Sequence, residues 1–224
     1  MIEHFKHQID LGWIPILEPL IESPEFVKVL EVLSSSKGFE PDISKLFRAF
    51  KACPYNELRV IMLGQDPYPQ PGVATGLAFG NEDEGISPSL QVIMDELESV
   101  KDYNEWLFFN KLSLEHWANQ GILLLNSALT VERNKPGSHQ EVWKYFIEGI
   151  IKKLNERNCG LIYVLMGKVA QSFESLISPS NHIIKVAHPA ADTYNNQKLF
   201  RGSNVFNNIN KLIHDMNGEI INFI

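Results

Sequence analysis

Short apolar runs alternate along the chain with longer stretches of helical periodicity. Residues 59–63, 122–125, 161–165 and 182–186 form brief runs rich in branched side chains, each followed within two residues by Gly, Asn or His. Such runs predict buried strands. The intervening segments carry helix signals. Ser23-Pro24 and Ser87-Pro88 each place an N-cap serine before a proline at the first helical position. Ser138-His139-Gln140-Glu141 fits a capping box, predicting a helix through Lys152 and Lys153 with Val142, Phe146 and Ile150 at four-residue steps. A last helix is expected from about Asn204 to Met216.

Strands separated by helices imply an α/β fold: a central, mostly parallel four-stranded sheet with helices on both faces. Ligands of such sheets lie at the carboxyl ends of the strands. That rule selects segments 64–69, 126–130, 167–168 and 188–189 as the candidate site. No repeat, low-complexity tract or linker interrupts the pattern, so residues 1–224 read as one domain.

Composition narrows the possible functions. The 224 residues are 44% hydrophobic and 21% charged, which supports a folded core and argues against disorder. The formal net charge of −7 weighs against a broadly basic nucleic-acid binder, so contact with DNA would need a local basic patch. Two cysteines, Cys53 and Cys159, are too few for a disulfide framework or a thiolate-held metal cluster, and each reads as a small buried hydrophobe. No signal-peptide pattern opens the sequence, and no run approaches the roughly 18 apolar residues that span a bilayer. A soluble, cytoplasmic protein is expected.

The four post-strand segments hold Asp66, Tyr68, Asn126 and His188. Singly, each is explained by turn or cap chemistry. Their joint appearance at the ends of neighbouring strands is less easily explained so.

Gly64-Gln65-Asp66-Pro67-Tyr68-Pro69, followed by Gly76-Leu77-Ala78-Phe79, resembles the first signature of family 1 uracil-DNA glycosylases, usually GQDPYH…GLAFS. Ser87-Pro88-Ser89-Leu90 resembles that family's PPSL loop. Gly121 through Asn126, Leu129-Thr130-Val131 and Ser138-His139 resemble its uracil-reading strand and sequel. Leu165-Met166-Gly167 with Ala170-Gln171 is similar to its Gly-Ser loop, and His188-Pro189 to the start of HPSP. The matches fall in the family's order over residues 59 to about 210.

The resemblance implies excision of uracil from DNA by hydrolysis of the N-glycosidic bond, with the nucleotide flipped out of the helix. It assigns Asp66 to the sugar cation and the attacking water, and His188 to the oxyanion on uracil O2. Asn126 would read the uracil edge, Tyr68 would exclude a 5-methyl group, Phe79 would stack on the base, and Gln65 would add a backbone donor. Ser87, Pro88, Ser89, Gly167, Lys168, Ala190 and Ala191 would face DNA, with Lys168, Lys185, Arg133, Lys135 and Arg201 as candidate positive charges. The resemblance implies no metal and no organic cofactor, a monomer, uracil-containing single- or double-stranded DNA as partner, and a DNA-binding face open to a proteinaceous inhibitor.

Three departures from the family pattern stand out. Pro69 replaces a histidine, and Lys168 replaces the serine of the Gly-Ser loop. The HPSPLS leucine, which enters the duplex, is replaced by Asp192, and the phosphate-contacting serine by Ala190. An acid at that point would be pushed against stacked bases and phosphates, which is unfavourable. Tyr194, or after it Leu199, is then the expected wedge. Two other readings are a glycosylase for a modified pyrimidine and a non-catalytic DNA-binding replication-accessory module.

Overall fold

The computed structural model describes residues 1–81, 85–98, 112–157, 159–195 and 198–223, and the backbone alone of Glu98, Tyr194 and Asn195. The strands are β1 (Phe39–Glu40), β2 (Val60–Gly64), β3 (Ile122–Asn126), β4 (Val131–Glu132), β5 (Ile162–Met166) and β6 (His182–Val186). The helices are α1 (Ile2–Phe5), α2 (Ile14–Ile21), α3 (Pro24–Ser35), α4 (Arg48–Ala52), α5 (Pro88–Glu98), α6 (Glu115–Ala118), α7 (Gln140–Asn155), α8 (Lys168–Gln171), α9 (Ala190–Asn195) and α10 (Val205–Asp215).

Four strands form one parallel sheet, as the alternation of apolar runs predicts, and they lie in the order β3-β2-β5-β6. Every residue of β2, β3 and β5 is buried, so both faces of these strands are covered. The fourth run departs from that expectation. β6 is an edge strand in which Ile183 and Lys185 are exposed: these alternate positions share one face of the strand, and that face is open to solvent. Three strands also end one residue later than their apolar runs, taking in Gly64, Asn126 and Met166. A second sheet, β1 antiparallel to β4, was not foreseen; two residues per strand are too few for a periodic signal.

Ser23 caps α3 by accepting from the Phe26 N–H at 3.2 Å, and Ser87 caps α5 by accepting from the Leu90 N–H at 3.3 Å. The capping box at residues 138–141 does not form. Ser138 Oγ instead accepts from the Glu132 N–H at 2.8 Å, and α7 begins at Gln140. His139, just before that helix, is drawn inward: Trp143 Nε1 donates to Thr130 Oγ1 at 2.7 Å, and that hydroxyl is hydrogen-bonded with His139 Nδ1 at 2.9 Å. A buried pair of this kind outweighs an exposed cap.

The core joins the sheet to an aromatic cluster beneath α3 and α7. Phe26, Phe47, Trp143 and Phe146 meet with ring centroids 5.4–6.2 Å apart. Each is essentially inaccessible to solvent, so truncation to alanine there is expected to cost about 3–5 kcal/mol. Cys53 is buried as expected, whereas Cys159 is exposed.

Candidate active site at the carboxyl edge of the sheet

The parallel register sets the site. Gly64 pairs with Asn126, so the two chains leave the sheet side by side. Ser127 then donates to Gly64 O from both N (3.1 Å) and Oγ (2.7 Å), and the Ala128 N–H donates to Gln65 O at 3.0 Å. These bonds tie the segment carrying Asp66 to the segment carrying Asn126. A side chain at Gly64 would sit 2.6 Å from Asn126 Oδ1 and 3.0 Å from Phe79 Cζ, so glycine there leaves the room both side chains occupy.

On the other side, the Gly167 N–H donates to Val186 O at 2.9 Å, and Gln171 Nε2 donates to the same oxygen at 2.9 Å. Gly167 has φ +89°, and a Cβ there would lie 2.8 Å from His188 Cβ. The conformation and the contact both demand glycine, and the contact fixes where His188 begins.

One cavity collects the residues singled out in the sequence. Asp66, Tyr68, Phe79, Asn126 and His188 all line it, with Ser89 beside them. Phe79 adopts φ 65°, a left-handed conformation that costs of order 1–3 kcal/mol and recurs where function demands it. Its ring lies 5.7 Å from the His188 ring. Tyr68 donates to Phe79 O at 3.2 Å and accepts from Ser87 Oγ at 2.6 Å. Asn126 is buried to 8% exposure, yet its amide has no hydrogen-bond partner among the described residues. Gln65 takes part through its backbone carbonyl and through a side-chain hydrogen bond to Asp66.

The electrostatics separate the two candidate catalytic groups. Burial raises the Asp66 carboxyl above its usual range, opposed by hydrogen bonds from the Gly137 N–H and the Gln65 side chain. Burial drives His188 down to about 4, so it is neutral at pH 7. The Ala190 N–H donates to His188 Nδ1 at 3.2 Å, which leaves the imidazole hydrogen on Nε2. Burial raises the Tyr68 phenol to about 12 against the lowering effect of Ser87, so it stays protonated.

Gly137 was not singled out from the sequence as a site residue. Its only sequence signal was the Pro136-Gly137 turn ahead of Ser138-His139.

The candidate DNA-facing residues border the cavity. Tyr68, Ser87, Pro88, Ser89 and Ala190 line a groove that shares Tyr68 and Ser89 with it, while Lys168 lines a second groove with Ser127 and Lys144. Gly167 is committed to shaping His188. The N–H groups of Ala190 and Ala191 are both used within the loop, on His188 Nδ1 and His188 O. Tyr194 lies on α9, but its side chain falls outside the described residues.

The expected positive charges are mostly neutralised. Arg133 pairs with Glu40 at 2.8 Å, Lys135 with Glu132 at 2.6 Å, Lys185 with Glu174 at 2.9 Å, and Arg201 Nε with Asp95 Oδ2 at 2.8 Å. Of the five, only Lys168 has no ion-pair partner among the described residues.

Asp192 overturns its expected placement. Its side chain is buried, not pushed outward. Oδ1 accepts from the N–H groups of Leu199 (2.7 Å) and Phe200 (2.8 Å), and Oδ2 from that of Arg201 (3.0 Å). Burial alone would raise this carboxyl, but these N–H groups and the Arg201 charge outweigh it and hold it below the usual range. Glu96 does the same further on, accepting from the Asn204 N–H at 2.7 Å and from the Gly202 N–H. The acid thus organises the turn from inside. Leu199, whose N–H it fixes, is 47% exposed.

The parallel sheet and its strand-end groups define an α/β protein with a polar and aromatic cavity at the carboxyl edge of the sheet. Comparison with known proteins gives that class a family. The sequence profile of the uracil DNA glycosylase superfamily matches residues 50–214. The uracil-DNA glycosylase of Alkaliphilus metalliredigens is 36% identical over 220 residues, covering 94% of this chain and 93% of its own. That of Azobacteroides pseudotrichonymphae is also 36% identical, covering 96% and 98%. The crystal structure of mimivirus uracil-DNA glycosylase has the same fold, with a TM-score of 0.83 at 24% identity over 96% of this chain and 87% of that one. The chain belongs to the uracil DNA glycosylase superfamily.

Proposed function

We propose that the protein excises uracil from DNA by hydrolysing the N-glycosidic bond, leaving an abasic site, and that it is a family 1 enzyme with a rebuilt leucine loop. The observation that carries this reading is the single cavity in which Asp66, His188, Asn126, Tyr68 and Phe79 meet. Family membership and the names of relatives at 36% identity support the same activity.

In this reading the uracil N1–C1′ bond breaks with its electron pair staying on the base. Water adds to the sugar carbon and gives up a proton to Asp66, whose Oδ2 is held by the Gly137 N–H. Neutral His188 presents Nε2–H to the charge growing on uracil O2, a preorganised donor that transfers no proton. The free amide of Asn126 donates to O4 and accepts from N3–H, an edge cytosine does not offer. Tyr68 occupies the space beside C5, and Phe79 stacks on the ring.

Single- and double-stranded DNA both enter by the rim of Ser87, Pro88, Ser89, Gly167, Lys168, Ala190, Ala191 and Tyr194. The inward turn of Asp192 leaves the exposed Leu199 as an apolar side chain available to fill the gap of a flipped base, beside Tyr194 as the candidate from the sequence. A mimivirus neighbour of the same fold has been solved in complex with UGI, which supports an inhibitor-accessible DNA face here.

The test is incubation with labelled single- and double-stranded oligonucleotides carrying one uracil, followed by alkaline cleavage of abasic sites. Strand breakage at the uracil position is expected. No breakage on either substrate removes the reading and leaves the DNA-binding module as its replacement.

A further inference from the structure

The segment Ser87-Pro88-Ser89-Leu90 has a serine where PPSL has its first proline. A proline has neither an N–H nor a side-chain hydroxyl. In this chain the hydroxyl closes a directed series of hydrogen bonds. The Leu90 N–H donates to Ser87 Oγ at 3.3 Å, Ser87 Oγ donates to Tyr68 Oη at 2.6 Å, and Tyr68 Oη donates to the Phe79 carbonyl at 3.2 Å. A phenol has one hydrogen, so accepting from Ser87 commits that hydrogen to Phe79.

The series reaches two walls of the cavity at once. In the uracil-excision reading Tyr68 is the wall that faces the 5-position of the pyrimidine, and Phe79 is the ring that stacks on it; both line the cavity. Phe79 is held with φ 65°, a conformation its side chain does not favour. The Tyr68 hydroxyl bonds to the carbonyl of that strained residue. Ser87 therefore joins the start of α5 to the ring wall and the stacking platform, through groups that are half-buried or buried.

We propose that Ser87 is a positioning residue for base specificity, holding Tyr68 against the pyrimidine 5-position and, through Tyr68, fixing Phe79. The inference rests on the uracil-excision reading above and concerns a residue that reading places only on the DNA-facing rim. Its physical content is that a half-buried phenol loses rotational and tilting freedom when both its donor and acceptor capacities are used.

The experiment compares wild type, S87A and S87T in two measurements. The first is excision of uracil and of 5-bromouracil from single-stranded oligonucleotides, expressed as the ratio of kcat/KM values. S87A is expected to lower the preference for uracil about tenfold, the scale of one neutral hydrogen bond, and S87T to restore it. The second measurement needs no activity: the 19F spectrum of protein carrying 3-fluorotyrosine, with the Tyr68 signal assigned through Y68F. In S87A that signal is expected to shift and to titrate at higher pH, because the hydroxyl that favours the phenolate is gone; S87T returns it. If the signal stays in place in folded S87A, or if the preference for uracil is unchanged, the proposal is overturned. A wild type that releases no uracil sinks the excision reading alone, since the fluorine signal still decides whether Ser87 holds Tyr68.

Discussion

The Ala190 N–H donates to His188 Nδ1 at 3.2 Å, so a residue two positions along the chain fixes which imidazole nitrogen carries the hydrogen. Together with a pKa lowered to about 4 by burial, this makes His188 a neutral donor across the physiological range. A two-dimensional proton–nitrogen spectrum is expected to show the Nε2–H tautomer at pH 7. H188Q should lose about two to three powers of ten in turnover, the scale of one preorganised donor. The same residue adds acid sensitivity. Between its ordinary pKa of 6.5 and about 4, the unfolded chain binds a proton that the folded chain refuses, so stability falls as pH drops through that window. Urea midpoints measured from pH 7 to 4 should fall less steeply in H188Q than in wild type.

Asp66 shows the opposite linkage. Its carboxyl is raised by burial, so the folded state gains from the proton and loses that gain as pH rises through the elevated value. At neutral pH the ionised group is a cost to folding. D66N should therefore lose about two to four powers of ten in single-turnover excision while melting at a higher temperature than wild type. A variant that melts lower, or that turns over normally, would show that the carboxylate is not held in the way described.

Asn126 and Tyr68 divide the choice of base between them. N126D presents an acceptor where the amide nitrogen donated and is expected to release cytosine from single-stranded DNA. Y68A removes the wall beside C5 and is expected to release thymine. Both gains are read by alkaline cleavage at defined positions, and a gain of the other base by either variant would exchange the two assignments.

Asp192 is expected to matter for architecture first. D192A leaves the N–H groups of Leu199, Phe200 and Arg201 without their acceptor, at a cost of about 1–3 kcal/mol for each one left buried and unsatisfied. A lower thermal midpoint is expected, with excision reduced more on duplex than on single strands because the turn presents Leu199. L199A should reproduce the duplex-specific loss without the loss of stability.

Much of the fold was legible because its signals are local. The apolar runs at 59–63, 122–125 and 161–165 fall within one residue of the buried strands β2, β3 and β5, since continuous burial suits such sequences, and Ser23-Pro24 and Ser87-Pro88 open helices as their chemistry requires. The failures are equally specific. The box at 138–141 gave way to the Thr130–His139 bond, a contact between residues no local pattern connects. The edge position of β6 depends on which strands neighbour it, and a run of apolar residues does not record that.

The sequence by itself determined which side chains stand at the strand ends, and so which chemistry is available: a carboxylate, an imidazole, an amide and a phenol. The tertiary structure alone decided their states. Burial raised Asp66 and lowered His188, the pairing of Gly64 with Asn126 placed carboxylate and amide side by side, and Ser87 reached Tyr68 across nineteen positions. It also turned Asp192 inward, where the family resemblance put an acid facing DNA. Residue type fixes what a group can donate or accept, but desolvation and partners are set by what the folded chain brings beside it.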